Sequence, residues 1–152
     1  MATTYDAIVL GAGAMGSATA YHLTKAGQRV LLLEQFEIDH QKGSSYGFSR
    51  ITRYAYEHPT YVHLMKSVFP AWSALEAEAG DTLFTRTGGL DFGRSDQRSL
   101  KNIIDSLDSE GIAYELWTAA EAERNFPQFR FDPDMLIIFQ ADGGILSATK
   151  CV

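Results

Sequence analysis

Residues 5–16 read YDAIVLGAGAMG, a short apolar run followed by glycines at positions 11, 13 and 16. A run of this length ending on glycine has the pattern of a buried parallel strand. The GxGxxG spacing is common by itself and gains meaning only from what surrounds it. Here residues 14–26 carry helical patterning and stop at Gly27, and residues 29–34 (RVLLLE) form a second apolar strand. Strand, glycine turn, helix and strand in this order make a βαβ unit the expected start of the fold.

Each glycine then has a reason. Gly11 permits a tight turn out of the strand, Gly13 lets the backbone approach a pyrophosphate, and Gly16 lets the helix pack closely on the sheet. With Ala12, Ala14 and Met15 they form a loop whose free N–H groups, at the positive end of the helix, favour phosphate. Glu34, 18 residues beyond Gly16 with Gln35 beside it, stands where a carboxylate accepts hydrogen bonds from ribose hydroxyls. A 2′-phosphate would meet its negative charge, so FAD or NAD is favoured over NADP. The plainer alternative is a glycine-rich turn with a solvent-facing glutamate, and it leaves the agreement of strand, glycines, helix and acid unexplained.

The pattern changes after Glu34. Residues 35–49 are polar and rich in Gly and Ser, a long loop of the kind that usually carries function. A helix is expected from near Thr60, with Val62, Met65, Val68, Phe69 and Trp72 on one face and Pro70 kinking or dividing it. Residues 85–93 read as strand interrupted by Gly88 and Gly89. Ser95 is expected to cap an amphipathic helix carrying Leu100, Ile103, Ile104 and Leu107 and ending at Gly111. Residues 112–117 form a short strand, and Thr118 with Glu121 makes a capping box for a brief helix before Pro127. Residues 135–141 are a last apolar strand, and residues 147–152 read as the opening of a helix. Two parallel strands are fewer than a doubly wound sheet requires, and nothing after residue 50 supplies a second mononucleotide half.

Composition narrows the function. A net charge of −6 opposes non-specific nucleic-acid binding, and no apolar run reaches the roughly 20 residues that span a bilayer. The charge is uneven: residues 1–75 hold 6 basic and 5 acidic side chains, residues 76–152 hold 7 and 14. An anionic ligand is therefore expected in the first half. The single cysteine, Cys151, suits a reducing, cytoplasmic compartment, and the first six residues lack the basic start and apolar core of a secretory signal. His40, His58 and His63 lack the spacing and partners of a metal site, and no nucleophile elbow appears. Tyr54 and Tyr56 read as packing residues rather than as a substrate wall.

The string GSSYGFSRITRYAY at residues 43–56 departs from an ordinary dinucleotide domain. Small and hydroxyl residues allow close backbone approach, and Arg50 and Arg53 lie three apart, on one face if helical and on opposite faces if extended. With YDAIVLGAGAMGSATAYHLTKAGQRVLLLE before it, the chain resembles the FAD-dependent amine oxidases of the D-amino-acid oxidase superfamily. The similarity is greatest to the branch of monomeric sarcosine oxidase and N-methyltryptophan oxidase, with pipecolate oxidase nearby. Weaker similarity runs through YVHLMKSVFPAWSALE, FTRTGGLDFG and IIFQADGGILS, covering nearly the whole chain.

By that resemblance the fold is α/β, an FAD-binding Rossmann-like βαβ start of a doubly wound sheet followed by part of an α+β substrate domain. Residues 1–58 would begin the FAD-binding domain, 59–141 the substrate domain with connecting helices, and 142–152 the return toward the FAD-binding domain. Gly11, Gly13, Gly16 and Glu34 would hold the ADP half of FAD, and Ser44, Ser45 and Ser49 would help wrap it. Arg50 would lie beside the flavin ring, where a cation stabilises negative charge on reduced flavin. Arg53 would bind the substrate carboxylate through two parallel hydrogen bonds. For both arginines, surface salt bridging is the alternative.

The family implies oxidation of a small secondary amino acid by O2, in a monomer at full length with no nucleic-acid or membrane partner. Tyr46 stands where those oxidases commonly have histidine, which leaves the substrate and the manner of flavin attachment open. The relatives also place a flavin-linking cysteine and functional lysines well beyond residue 152, and Cys151 is not at that position. The chain is accordingly expected to be an N-terminal part, with exposed sheet edges and apolar faces and without turnover alone. A flavin dehydrogenase passing electrons to a carrier, or a non-catalytic nucleotide-binding module, are the competing readings.

Overall fold

A computed structural model describes residues 4–38 and 40–152; residues 1–3, part of the stretch read for a leader, and residue 39, in the long loop, lie outside it. The chain divides into two compact units, residues 1–50 with 147–152, and residues 51–146. The boundaries read from sequence fall at 58/59 and 141/142.

In the first unit, β1 (Ala7–Leu10) and β2 (Val30–Leu33) pair in parallel, Ala7 opposite Val30 and Leu10 opposite Leu33, with α1 (Ala14–Lys25) as the crossover. The Gly11 N–H continues the ladder to the Leu33 carbonyl at 2.7 Å. Past α1, Gly27 takes a φ of +82° while its own N–H and that of Gln28 satisfy the Thr24 and Leu23 carbonyls, the helix stop expected of glycine. Ile8 and Leu10 project from the other side of β1 and are 61% and 77% exposed, so this two-stranded sheet has an uncovered apolar face.

β3 (Ser49–Thr52) and β8 (Gly144–Ser147) carry the chain between the units. With β4 (Phe84–Arg86) they form a sheet ordered β3-β8-β4, in which β4 and β8 run antiparallel.

The second unit is built on an antiparallel sheet of β5 (Gly89–Arg94), β7 (Met135–Gln140) and β6 (Glu115–Thr118), with β7 central. Successive strand residues face opposite ways, and adjacent Ile137 and Ile138, both fully buried, separate two layers. Ile138 packs with Val62 of α2 (Pro59–Ala79) and with Leu100, Ile103 and Leu107 of α3 (Arg98–Glu110). Ile137 packs with Ala119 and Ala122 of α4 (Ala119–Asn125). Tyr54 and Tyr56 join the first cluster as packing residues.

Local signals explain most boundaries. His58 Nδ1 accepts the Thr60 N–H and Pro59 opens α2. Gly80 in the left-handed region ends it. Thr118 and Glu121 form the expected capping box, Thr118 Oγ1 accepting the Glu121 N–H and the Glu121 carboxylate accepting the Thr118 N–H. Glu76 Oε1 accepts the Leu83 and Phe84 N–H groups at 2.7 and 2.8 Å, tying the end of α2 to β4.

Of the two outcomes expected at Pro70, division does not occur: α2 is continuous across it although the proline has no N–H for the Lys66 carbonyl. Three expectations are corrected. Ser95 does not cap α3: the Gln97 N–H closes a turn onto the Arg94 carbonyl, so Ser95 lies within that turn and Gln97 is the N-cap. The strand at 135–140 is not the last. Gly143 N–H turns back onto the Gln140 carbonyl and the chain enters β8 in another sheet. Residues Ala148–Cys151 form a 3₁₀ turn and not an α-helical start. No helix among the described residues is long and apolar enough to cross a membrane.

Candidate functional site

The glycine loop after β1 and the long loop after β2 line a cavity of about 600 Å³ in the first unit. Gly11 leaves β1 with a φ of +93°, a left-handed conformation that favours glycine. A Cβ on Gly16 would be driven into the Gly11 carbonyl, so only glycine lets α1 begin this close to the strand. A Cβ on Gly13 would crowd the Ser45 hydroxyl at 3.1 Å. No acid occupies the first turn of α1, which keeps its positive end available to an anion.

Two side chains close the loop. Glu34 Oε2 accepts the Ala12 N–H at 2.8 Å, and Oε1 accepts the N–H groups of Gln35 and Phe36 at 2.8 and 3.1 Å. The Ala12 N–H first, then that of Phe36, hold the Glu34 carboxyl below its ordinary value, so it stays ionised. His40 Nε2 stands 3.5 Å from Glu34 Oε1, while its Nδ1 accepts the Lys42 N–H. Ser45 Oγ accepts the Ala14 N–H at 2.9 Å across 31 residues, taking one of the free donors at the start of α1.

Gly11, Ala12, Gly13, Glu34, Gln35, Ser44 and Ser45 all line this cavity. Met15 is 82% exposed on α1 and, with Ala14, Gly16, Ser49 and Arg50, is not part of the lining. Phe36, His40 and Tyr46 line it without having been singled out as cofactor ligands. A histidine or an aromatic in a polar loop carries no periodic signal, and only the fold of the loop reveals its place.

Arg50 lies in β3 and turns back on its own loop. Its Nη1 donates to the Ser49 carbonyl, and Nη2 donates to the carbonyls of Ser44 and Tyr46. Thr149 Oγ1 and the Ala148 N–H add bonds to the Gly47 and Phe48 carbonyls. The serine–glycine loop is therefore fixed by donors to its backbone.

Arg53 follows β3 and belongs to the second unit, where it lines a separate pocket of about 320 Å³ with Asp91, Leu90, Phe92, Phe129 and Ile145. Its Nε donates to the Ala55 carbonyl at 3.1 Å and lies 3.9 Å from Asp91 Oδ1; the Tyr56 ring centre is 5.4 Å from the guanidinium carbon. Neither Nη of Arg53 has a protein partner among the described residues.

The histidines are otherwise structural. His63 and Lys66 on α2 converge on Glu110 of α3 at 3.0 and 2.8 Å. No group of three or more metal-ligating side chains occurs among the described residues.

Comparison with known proteins agrees with this geometry. The family model described as DAO, FAD dependent oxidoreductase, matches residues 6–152. Peroxisomal sarcosine oxidase of Mus musculus is 41% identical over 97% of this chain and 38% of its own length. Monomeric sarcosine oxidase of Streptomyces avermitilis is 37% identical over 100% of the chain and 40% of its own. N-methyl-L-tryptophan oxidase of Salmonella arizonae is 32% identical over 97% and 40%. Among solved structures, NikD, an amino acid oxidase of nikkomycin biosynthesis, superposes with a TM-score of 0.86 at 28% identity, covering 99% of this chain and 40% of that one. The chain thus spans about two fifths of the length of the relatives it matches. The family match over residues 6–152, on a chain whose glycine loop is closed by Glu34, shows that the chain belongs to the DAO family of FAD-dependent oxidoreductases.

Proposed function

We propose that the whole protein oxidises the C–N bond of a secondary amino acid, such as sarcosine, another N-methyl amino acid or pipecolate. Two electrons would pass to FAD and then to O2, giving an imine and H2O2. The observation that carries this reading is the cradle of Gly11, Gly13, Glu34 and Ser45, found in a chain 41% identical overall to a sarcosine oxidase. FAD, when bound, supplies the redox chemistry.

The residues present fit its ADP half. The cavity is of ligand size, Gly13 leaves the backbone bare, and Glu34 Oε2 has accepted only one hydrogen bond and can take a second from a ribose hydroxyl. Arg50 holds the loop in shape and supplies positive charge to an anionic ligand. Arg53, with both Nη nitrogens unpartnered, binds the substrate carboxylate bidentately. Met15 contributes through the backbone of the first turn of α1, and Ser49, at the start of β3, through its carbonyl, which accepts Arg50 Nη1. The compartment follows the single cysteine, with the peroxisome, named for the mouse relative, as the alternative.

Two measurements test the reading. Titrating FAD with the 152-residue chain should quench flavin fluorescence saturably, and ADP should compete; an unquenched titration removes the cofactor assignment. Chain extended to the length of its relatives should form peroxide with sarcosine or pipecolate under air, and the 152-residue chain should not. Reduction of an artificial acceptor without peroxide would make it a dehydrogenase.

A further inference from the structure

The pocket of the second unit contains a carboxylate that the proposed reaction has not used. Asp91 lies in β5 opposite Ile138, and its side chain is 20% exposed. Among the described residues nothing donates a hydrogen bond to it, and its charged neighbour is Arg53, with Nε at 3.9 Å. That separation gives attraction without a hydrogen bond. Leu90, Phe92, Phe129 and Ile145 supply the rest of the wall. Burial pushes the Asp91 carboxyl above its ordinary value, and the Arg53 charge brings it only part of the way back. A carboxylate in such a setting is costly until a donor reaches it, and an apolar side chain would cost less.

The free groups are complementary to one class of ligand. Arg53 offers two unpartnered Nη nitrogens, and Asp91 offers oxygens that accept no hydrogen bond from the described residues, in the same pocket. An amino acid carries a carboxylate and a cationic amine separated by a single carbon. We propose that Asp91 is a specificity-determining residue that accepts the N–H groups of the substrate's ammonium while Arg53 holds its carboxylate. This rests on the assignment of Arg53 to the substrate carboxylate. A ligand with both groups gains both contacts. A plain carboxylate gains Arg53 and is repelled by Asp91, and a plain amine loses Arg53.

Sarcosine and butanoate, which has CH2 in place of the amine, separate these contributions. Dissociation constants for both would be measured by NMR titration of the 152-residue chain, of Asp91→Asn, which keeps the side-chain volume, and of Arg53→Gln. The unsubstituted chain should bind sarcosine roughly tenfold or more tightly over butanoate, the scale of one charged hydrogen bond. Asp91→Asn should close that gap from both sides, weakening sarcosine and strengthening butanoate. A merely structural Asp91 would move both ligands the same way, and that result, or an unchanged preference, overturns the proposal. Arg53→Gln should lose both ligands. If it loses neither, the Arg53 assignment fails, and absence of binding by either ligand to the unsubstituted chain counts against both.

Discussion

Replacing Gly16 with alanine should destabilise the first unit, although at most helix positions the same change stabilises by about 1 kcal/mol. The reversal comes from what the added Cβ meets. Its path is blocked by the carbonyl of Gly11, with Val9 Cγ1 at 3.6 Å, and a backbone carbonyl cannot swing aside as a side-chain end can. Gly11 is itself held at φ +93° between β1 and the loop, so α1 must retreat from the strand instead. Retreat stretches the Ala12 N–H bond to Glu34, 2.8 Å, and the Ala14 N–H bond to Ser45, 2.9 Å. The neutral bond to Ser45 contributes about 1 kcal/mol. Overpacking costs about 2 kcal/mol, so the net loss, after the gain in helix propensity, is about 2 kcal/mol, and loosening of the Glu34 bond adds to it. Amide hydrogen exchange of β1 and α1 reads this locally, and the flavin titration should weaken in parallel. Trp72 and Trp117 both lie in the second unit, so their unfolding signal is an internal control that should not move. Exchange as slow in Gly16→Ala as in the unsubstituted chain would refute the steric argument and leave propensity in control.

Three further outcomes are expected. Leu107→Ala empties a fully buried position between α3 and the sheet and should cost about 2–5 kcal/mol, read from tryptophan fluorescence in urea. Thr118→Ala removes one arm of the capping box and should cost about 1 kcal/mol, with faster exchange confined to the first turn of α4. Hydrogen bonds from Ser99 and Asn102 hold Glu57 below its ordinary value of 4.5, and Lys66 with His63 does the same for Glu110. Their stabilisation is therefore complete above pH 4.5 and is lost as the pH falls through the depressed values, a loss that Glu57→Gln with Glu110→Gln should abolish. Asp91 has the opposite sign: its value is raised from 3.8, so its contribution is greatest below pH 3.8 and declines as the pH rises through the raised value.

Features encoded over a few residues were legible in the chain: the glycine loop with its acid, the Gly27 and Gly111 helix ends, and the Thr118–Glu121 box. Each is specified by neighbours within one or two turns or by the length of one βαβ unit. The features that were missed are contacts across distance. Ser45 reaches Ala14 over 31 positions, Ser99 reaches Glu57 over 42, and Asp91 meets Arg53 only because β5 folds back toward the chain after β3. The break between β7 and β8 was hidden for another reason. Residues 135–147 carry one apolar run on each side of Asp142-Gly143-Gly144, and the change of sheet depends on where β4 and β5 lie. Ser95 misled because it has the chemistry of an N-cap and stands two residues before the real one.

The charged residues read from sequence as ligand-holding are first of all backbone-holding, and the count of their hydrogen-bonding positions says what remains for a ligand. Glu34 receives two donors on Oε1 and one on Oε2, so its remaining acceptor capacity is concentrated on the oxygen that also touches the glycine loop. Arg50 has five N–H groups and directs three at the Ser44, Tyr46 and Ser49 carbonyls, leaving the Nε hydrogen and one on Nη1. A nucleotide entering this cavity therefore meets a loop whose conformation is already set, and little of its binding free energy is spent on ordering. The same arrangement has a consequence for mutagenesis. Glu34→Ala removes the proposed ribose acceptor and also frees the Ala12, Gln35 and Phe36 N–H groups together, so lost affinity alone does not identify a ribose contact. Glu34→Gln retains one carboxamide oxygen and offers N–H where Oε1 or Oε2 accepted, so it must break a loop bond in either orientation. The ribose contribution is isolated only by the difference between FAD and a 2′-deoxyadenosine analogue, measured in both the unsubstituted chain and Glu34→Gln. A contact to the hydroxyl shows as a penalty for the deoxy analogue that shrinks when Glu34 is replaced, whereas loop loosening lowers both affinities alike.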